Sequence, residues 1–251
     1  MFYGNFGDGR DAKFREAVAL MKDVFGRVHS ADNLMAFGRS AGFMQDQKFI
    51  DAMNGHARTA QERSLAWRLH TLTWAAEQAL HKEGDFVECG VWTGFSFGVI
   101  TKYLDWPSVS KSLYLYDTFE GIPPDYNSEN RSNSVYEQQN AEDPDAIYKL
   151  AQARFVGMPN VQLVRGTVPE TLSSVCPEKI ALLHIDMNSA ASEIAALEVL
   201  WERVVPGGLI VFDDYGWAMY AAQKEAEDAF MAALGHTIME LPTGQGLLIK
   251  H

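Results

Sequence analysis

Short apolar runs alternate with helical stretches after Gly84, and this alternation constrains the fold more than any other feature of the chain. The runs are rich in β-branched and aromatic residues, and turn-forming residues separate them from the stretches between. Strands that alternate with helices join in parallel, so the pattern predicts an α/β fold with a parallel sheet and helices on both faces. We predict strands at 85–91, 112–118, 161–166, 180–187 and 208–214, and helices at about 95–104, 145–156, 191–204 and 217–234.

The end of the chain predicts a different connection. Two short β-rich segments flank Thr243-Gly244, which indicates a hairpin. Such a hairpin would close the sheet with an antiparallel strand. A dinucleotide-binding Rossmann domain instead normally finishes with parallel strands.

The first part of the chain shows a helical rather than an alternating pattern. Residues 11–28 and 65–80 place apolar side chains on one helical face, so the first eighty residues are predicted to be mostly helical. We therefore predict an N-terminal helical cap or extension over 1–83 and an α/β domain over 84–251. The segment 122–143 is polar and proline-containing, and a long polar loop of this kind is typical of a functional lid.

Composition limits the partners and the compartment. The net charge of −12 argues against nucleic acid or an anionic membrane as the main partner. The two cysteines form no disulfide framework or zinc spacing, which favours a reducing cytoplasm. Met1–Arg10 lacks the basic and apolar regions of a leader, and no apolar run approaches the roughly 18 residues of a membrane span, so we expect neither export nor anchoring. The apolar helix faces of the extension make a homo-oligomer plausible.

The first predicted strand runs into a glycine turn that is typical of a nucleotide-cofactor site. Residues 85–94 read Asp-Phe-Val-Glu-Cys-Gly-Val-Trp-Thr-Gly. Glycines at a strand end let the backbone approach a ligand, and the N–H groups that open the next helix favour an anionic group. The spacing of Glu88, Gly90 and Gly94 departs from the G-x-G-x-x-G of dinucleotide sites and resembles the first motif of class I S-adenosylmethionine (SAM) methyltransferases.

Every predicted strand of the α/β domain ends in acidic or glycine residues. Ligands of open α/β sheets lie beyond the carboxyl ends of the strands, so these residues are candidates for a binding site. Asp117, at the second tip, suits the two hydroxyls of a ribose. The alternatives are a helix N-cap for Asp117 and a buried hydrogen-bonded partner for Glu88. The tips carry Glu88 and Gly90, Asp117 and Thr118, Gly166 and Thr167, Asp186, and Asp213 and Asp214.

The fourth and fifth tips indicate metal-assisted chemistry. Adjacent strands would bring Asp186, Asp213 and Asp214 together, and three carboxylates repel unless a cation or protons compensate. Mg²⁺ prefers such oxygen ligands, and a hydroxyl bound to it loses its proton more readily. The alternative is that one aspartate caps a helix and the others are solvated. His184 is a second candidate base beside Asp186, or else a buried strand histidine.

Four motifs in order resemble the macrocin O-methyltransferase (TylF-like) family. They are Gly-Asp-Phe-Val-Glu-Cys-Gly-Val-Trp-Thr-Gly, Asp-Thr-Phe-Glu-Gly-Ile-Pro, His-Ile-Asp-Met-Asn and Val-Pro-Gly-Gly-Leu-Ile-Val-Phe-Asp-Asp-Tyr-Gly, within 84 to about 250. The resemblance implies a class I methyltransferase fold, a mostly parallel seven-stranded sheet with a C-terminal antiparallel hairpin. It also implies SAM-dependent, Mg²⁺-assisted O-methylation of a sugar hydroxyl in a natural product or glycan.

The same resemblance, together with the strand tips, gives the expected site residues. Asp186, Asp213 and Asp214 would hold the metal, and Asp186 would be the general base, with His184 as the second candidate. The SAM site would comprise Glu88, Gly90, Val91, Trp92, Thr93, Gly94, Asp117, Thr118, Gly166, Thr167 and Asp186.

One position departs from the family pattern and keeps two alternatives open. Family members often show Asp-Gly-Asp where this chain has Asp186-Met187-Asn188. Asn188 therefore makes a non-catalytic protein that binds SAM or a glycan conceivable. A nicotinamide-dependent oxidoreductase is the other alternative, which the glycine spacing and the terminal hairpin disfavour.

Overall fold

The structure, a computed structural model, describes residues 9–251. Residues 1–8, which belong to the predicted extension and to the Met1–Arg10 segment that was predicted not to be a leader, lie outside that range. The strands are β1 Val28–Ala31, β2 Leu34–Phe37, β3 Asp85–Cys89, β4 Leu113–Asp117, β5 Val161–Arg165, β6 Ile180–Ile185, β7 Val204–Phe212, β8 Met239–Glu240 and β9 Gly246–Ile249. The helices are α1 Arg10–Phe25, α2 Gln47–His56, α3 Ala60–Ser64, α4 Ala66–Leu80, α5 Phe95–Tyr103, α6 Ser134–Gln139, α7 Ala146–Arg154, α8 Ala190–Leu200 and α9 Ala221–Ala233.

A seven-stranded sheet forms the centre of the α/β part, in the order β5-β4-β3-β6-β7-β9-β8. Strands β3 to β7 pair in parallel, and β9 pairs antiparallel with both β7 and β8. The chain order reverses between β3 and β6, which is the switch point where an open sheet offers a crevice. The predicted fold class, a mostly parallel sheet closed by a C-terminal antiparallel hairpin, is therefore confirmed.

Apolar side chains cover both faces of this sheet. Along β3, Phe86 packs into the cluster that includes Leu72 of α4, whereas Val87 packs into the cluster that includes Leu197 of α8. Successive residues of a strand point to opposite faces, so a strand buried on both sides reads as a continuous apolar run. Each fully buried side chain of this size contributes about 1.5–3 kcal/mol. The two-sided burial holds the strand tips at fixed positions.

The prediction of a mostly helical N-terminal region is wrong in one place. Helix α1 ends at Phe25 because Gly26 adopts a φ of 67°, and the chain then forms the antiparallel hairpin of β1 and β2. Asp32 and Asn33 form its two-residue turn with φ values of 51° and 54°. Two central residues at positive φ match the twist of a hairpin, and Asp and Asn tolerate that conformation.

Other differences are shifts of boundaries. Strand β7 begins at Val204 and not at 208, because residues 206–208 are part of the extended strand. The helix before it ends at Leu200, and a 3₁₀ turn over Trp201–Arg203 follows. The segment 122–143 contains the 3₁₀ turn Pro124–Tyr126 and helix α6.

Candidate active site

The carboxyl ends of β3, β4, β5 and β6 surround an open cleft of about 430 Å³. Part of its wall comes from the segment 122–143, which contributes Ile122, Pro123 and Tyr136. The predicted SAM-site residues that line it are Gly90, Asp117, Thr118, Gly166, Thr167 and Asp186. The predicted site residues that do not line it are Glu88, Val91, Trp92, Thr93, Gly94, His184, Asp213 and Asp214.

Gly90 follows β3 and lies against the backbone at the tip of β6. Its φ is 94°, and a Cβ atom at this position would overlap the backbone carbonyl of Asp186. Only glycine combines a positive φ with the absence of that atom. The first glycine of the motif is thus required by the close approach of two strands at the floor of the cleft.

Asp117 holds the turn that follows Gly90. Its Oδ2 accepts hydrogen bonds from the backbone N–H groups of Val91 at 2.6 Å and Trp92 at 2.7 Å, and its Oδ1 accepts one from Phe119 N at 2.6 Å. Burial raises the pKa of Asp117, while the backbone N–H bonds lower it in part. Asp117 therefore fixes the shape of the β3–α5 turn as well as facing the cleft, and its predicted contact with a ribose remains a prediction.

The rest of the turn is buried beneath the cleft. Val91 and Thr93 are buried, and Arg154 of α7 donates from Nε to the carbonyl oxygen of Thr93 at 2.8 Å. Gly94, with a φ of 73°, precedes the first turn of α5. These residues support the turn from behind, and their predicted contacts with SAM remain predictions.

Glu88 and His184 form a buried pair beneath the turn. They are register partners across β3 and β6, and His184 Nδ1 lies 3.1 Å from Glu88 Oε1. Burial lowers the pKa of His184, but the carboxylates of Asp213 and Glu88 outweigh it and raise that pKa to about 10. Burial raises the pKa of Glu88 to about 7. Both ring nitrogens of His184 face carboxylates, so its placement suits orienting Asp213 more than accepting a proton from a substrate.

An arginine that sequence reasoning missed forms ion pairs with the two aspartates at the tip of β7. Arg68, in the first turn of α4, donates from Nη1 to Asp213 Oδ2 at 2.6 Å and to Asp214 Oδ1 at 3.2 Å. Its Nε and Nη2 donate to the carboxylate of Asp32 at 2.7 and 3.3 Å. Gln245 Nε2 donates to the other oxygen of Asp213 at 2.9 Å.

The carboxylates of this cluster have different pKa shifts. Burial opposes ionisation of Asp213, but the charge of Arg68 and the contacts with His184 and Gln245 prevail and lower its pKa. Burial and the charge of Asp213 raise the pKa of Asp214 to about 7, against the lowering effect of Arg68. Burial, Asp213 and Asp214 raise the pKa of Asp186 well above its ordinary value. Asp213 is thus strongly ionised, whereas Asp214 and Asp186 hold protons more readily than an ordinary carboxyl group does.

The residues predicted to bind magnesium do not fit a divalent ion as they are arranged. Both oxygens of Asp213 and one oxygen of Asp214 already accept hydrogen bonds from Arg68 or Gln245. Within residues 9–251, no group of three or more carboxylate, histidine or cysteine side chains is placed to hold a metal ion.

The segment 122–143 lines the cleft and also contacts the loops that follow β6 and β7. Ser189 Oγ, after β6, donates to the carbonyl of Tyr126, and Ala190 N donates to Glu129 Oε1 at 3.2 Å. Arg131 donates to the carbonyl oxygen of Met219 at 3.1 Å, beyond β7. The segment thus crosses the carboxyl edge of the sheet from β4 to the region after β7, and its role as a lid remains a prediction.

Two signals in the sequence could have indicated the missed residues. Asp32-Asn33 between two short runs is a hairpin signal, although the runs are only four residues each. Arg68 interrupts the apolar face that Leu65, Leu69 and Leu72 define, and a charged residue on such a face indicates a buried ion pair.

The raised carboxyl pKa values predict that stability falls as pH rises. Asp214 and Glu88 have folded-state pKa values of about 7 against ordinary values of 3.8 and 4.5. The folded state therefore binds more protons in this window, so their contribution is complete below the ordinary values and is lost as pH rises through 7. Denaturant unfolding at about pH 5 and about pH 8 should show a smaller difference for Asp214→Asn than for the unsubstituted protein. An equal difference in both proteins would contradict the assignment.

Removing either aspartate at the tip of β7 should have unequal effects on stability. Asp213→Ala leaves Arg68 without its shortest partner and should lower the free energy of unfolding by about 3–5 kcal/mol. Asp214→Ala removes a longer contact from a carboxyl group with a raised pKa and should cost less. Chemical denaturation of the two variants at neutral pH measures the difference, and a larger loss for Asp214→Ala would overturn this reading.

The fold is that of class I methyltransferases. The solved structure "Crystal Structure of CalS11, Calicheamicin Methyltransferase" superposes with a TM-score of 0.59 at 17% identity, covering 98% of each chain. A family model described as Macrocin-O-methyltransferase (TylF) matches residues 6–238. This chain therefore belongs to the macrocin-O-methyltransferase (TylF) family.

Two curated relatives show sequence similarity over part of their length. One is the 8-demethyl-8-(2,3-dimethoxy-alpha-L-rhamnosyl)-tetracenomycin-C 4'-O-methyltransferase of Streptomyces olivaceus, 28% identical over 59% of this chain and 60% of the relative. The other is the mycinamicin III 3''-O-methyltransferase of Micromonospora griseorubida, 26% identical over 59% of this chain and 62% of the relative. Each alignment thus spans less than two thirds of the relative.

Proposed function

We propose that this protein is a SAM-dependent O-methyltransferase that methylates a hydroxyl of a sugar moiety in a natural product or glycan. The observation that carries the proposal is the cleft at the strand tips, where Gly90, Asp117, Gly166 and Asp186 converge in a chain of this family. Neither the oxidoreductase nor the non-catalytic alternative gains support from a particular contact.

The acceptor class rests on the relatives and on the cover of the cleft. The name of the Streptomyces olivaceus relative gives its substrate as a rhamnosyl-bearing tetracenomycin. In this chain, the lid-like segment 122–143 would form the acceptor side of the cleft, to which it contributes Tyr136. We propose that the extension over 1–83 and this lid flank the acceptor, and that the domain over 84–251 binds SAM.

Methyl transfer requires a bound sulfonium, a positioned hydroxyl and a proton acceptor. Bound SAM would supply an electrophilic methyl group on a positively charged sulfur, which would leave as the neutral thioether of SAH when the acceptor oxygen takes the methyl group. The glycine turn and Asp117 orient the nucleoside, and the cleft holds the hydroxyl in line. The hydroxyl proton passes to a protein base, for which Asp186 is our first candidate. Asp186 faces the cleft, so its carboxylate lies on the side from which the hydroxyl would approach.

The magnesium assistance that the family resemblance implies remains a hypothesis without support from the contacts of this site. It would require Asp186, Asp213 and Asp214 to converge on one ion, whereas two of the three pair with Arg68. His184 likewise remains a hypothesis as a base.

We also propose a cytoplasmic homo-oligomer. Cys89 and Cys176 are free thiols, which suits a reducing compartment. Exposed apolar side chains of α1, among them Leu20 and Val24, suit burial against another copy. Across residues 9–251, the helices are too short or too polar to cross a membrane.

The proposed function is tested by following S-adenosylhomocysteine (SAH) formation from SAM with a panel of rhamnose-containing natural products. Each acceptor is paired with the same compound already methylated at the candidate hydroxyl. We expect SAH to form with a free hydroxyl and not with its methylated counterpart. Binding of SAH without turnover of any sugar acceptor would favour the non-catalytic alternative, and binding of a nicotinamide cofactor instead would favour the oxidoreductase.

A further inference from the structure

We propose that Arg68 provides the positive charge that balances the carboxylates at the tip of β7, so that this site works without a divalent cation. The inference rests on the proposed function, because it concerns the same site, but it is tested by cation binding rather than by turnover. It assigns to the N-terminal extension a positioning residue of the methyltransferase site.

The contacts of Arg68 use all three nitrogens of its guanidinium group. Nη1 bridges Asp213 and Asp214, while Nε and Nη2 form a two-point contact with Asp32. The side chain is 9% exposed, and the guanidinium carbon lies 4.7 Å from the centre of the Trp217 ring. A planar group held by three carboxylates and an aromatic face has one orientation, and in that orientation its charge points at the tip of β7.

A divalent cation would compete with Arg68 for the same oxygens. Mg²⁺ requires oxygen ligands at about 2.0–2.1 Å in near-octahedral geometry. Asp213 Oδ2 and Asp214 Oδ1 instead lie 2.6 and 3.2 Å from Arg68 Nη1, and Asp213 Oδ1 accepts from Gln245. A cation bound there would also be repelled by the guanidinium at close range. A divalent cation that bound these three oxygens would therefore have to displace Arg68.

Asp32 anchors Arg68 in this position. Its carboxylate is carried by the two-residue turn between β1 and β2 and is 5% exposed. Moving Arg68 aside for a metal would leave Asp32 as a buried carboxylate without its cation. The N-terminal hairpin, which sequence reasoning missed, thus has a specific role in keeping Arg68 on the strand tips.

The neighbourhood of Asp186 agrees with a monovalent counter-ion. Two residues after Asp186 the chain carries an amide, and Asn188 Nδ2 lies 3.4 Å from Asp186 Oδ1. Asp186 therefore meets a hydrogen-bond donor from its own loop rather than a further carboxylate. The cluster carries less negative charge than a set of four acids, and one guanidinium compensates a larger share of it.

The test is a titration of the protein with Mn²⁺, followed by the electron paramagnetic resonance signal of the free ion. The unsubstituted protein should leave Mn²⁺ free, and Arg68→Met should bind it at least about tenfold more tightly, because the carboxylates lose their resident cation. Arg68→Lys keeps the charge and should continue to exclude Mn²⁺. Arg203→Met is the matched control: Arg203 donates to the carbonyl oxygen of Pro177 and precedes β7, at the opposite edge of the sheet. It should not bind Mn²⁺.

Two results would overturn the proposal. The first is Mn²⁺ binding by the unsubstituted protein that is lost in Asp213→Asn, which would show that the carboxylates hold a metal and that Arg68 moves aside. The second is no gain of Mn²⁺ binding in Arg68→Met, or in Arg68→Gln if the methionine variant does not fold. Titration of the same samples with SAH separates this outcome from a failure of the proposed function. SAH binding without a gain of Mn²⁺ binding overturns the role of Arg68 alone, whereas no SAH binding by the unsubstituted protein counts against the proposed function.

Discussion

Replacing Gly90 by alanine should abolish measurable SAH binding and destabilise the fold. The new Cβ atom would occupy the position of the Asp186 carbonyl and would force the tips of β3 and β6 apart. Overpacking of this kind costs about 1–3 kcal/mol, and a non-glycine residue at positive φ adds about 1–2 kcal/mol. The strain falls on the turn that carries Val91 and Trp92 and on the floor of the cleft, so binding and stability should fail together.

Gly157→Ala is the matched control for this substitution. Gly157 has a φ of 82°, but a Cβ atom there has nothing within 4 Å. Gly157→Ala should lower the free energy of unfolding only by the roughly 1–2 kcal/mol that a non-glycine residue at positive φ costs, and it should bind SAH normally. Titration calorimetry and denaturant unfolding of both variants give the comparison. Equal SAH affinity in Gly90→Ala and Gly157→Ala would show that the close approach of β3 and β6 does not shape the binding site.

Replacing Asp117 by alanine should weaken SAH binding by about 1–3 kcal/mol, which corresponds to about 5- to 150-fold in Kd. The substitution removes the acceptor of two N–H bonds in the β3–α5 turn and of the Phe119 N–H bond. It also removes a carboxylate from the wall of the cleft. Asp117→Asn keeps one acceptor oxygen, so its Kd for SAH should lie between those of the unsubstituted protein and Asp117→Ala.

Asp85→Ala is the control for Asp117→Ala. Asp85 also accepts a backbone N–H bond, from Ser112 at 2.8 Å, but it lies at the first residue of β3, away from the strand tips. Its loss should change stability and leave the Kd for SAH unchanged. An unchanged Kd in Asp117→Ala would remove Asp117 from the cofactor site, whereas a raised Kd in Asp85→Ala would show that the assay reports stability rather than contact.

The sheet was predictable because its central strands, β3, β4, β6 and the second half of β7, are buried on both faces. Such strands read as apolar runs in any register, and the turn residues between them separate strand from helix. The terminal hairpin followed from two short runs around Thr243-Gly244. The hairpin of β1 and β2 was missed because its strands are four residues each and partly exposed, so they carry little periodicity. Its turn chemistry at Asp32-Asn33 was the better signal.

The candidate site was predictable only where topology determines it. Parallel strands bring their carboxyl ends to one edge, which placed Gly90, Asp117 and Asp186 around one cleft before any contact was known. The partners of Asp213 were not predictable in this way. Arg68 lies 145 residues from Asp213 in sequence, on a helix outside the alternating pattern. Sequence reasoning therefore identified three acids and inferred a metal, and the contacts instead show an arginine between two of them.

The central claim, that the cleft binds the methyl-donor nucleoside, is tested most directly by isothermal titration of the purified protein with SAH, with Mg²⁺ and with chelator. We predict one site per chain with a micromolar Kd that is the same under both conditions, since Arg68 rather than a metal balances the strand-tip carboxylates. Absence of binding under both conditions would contradict the claim that this cleft is a SAM site.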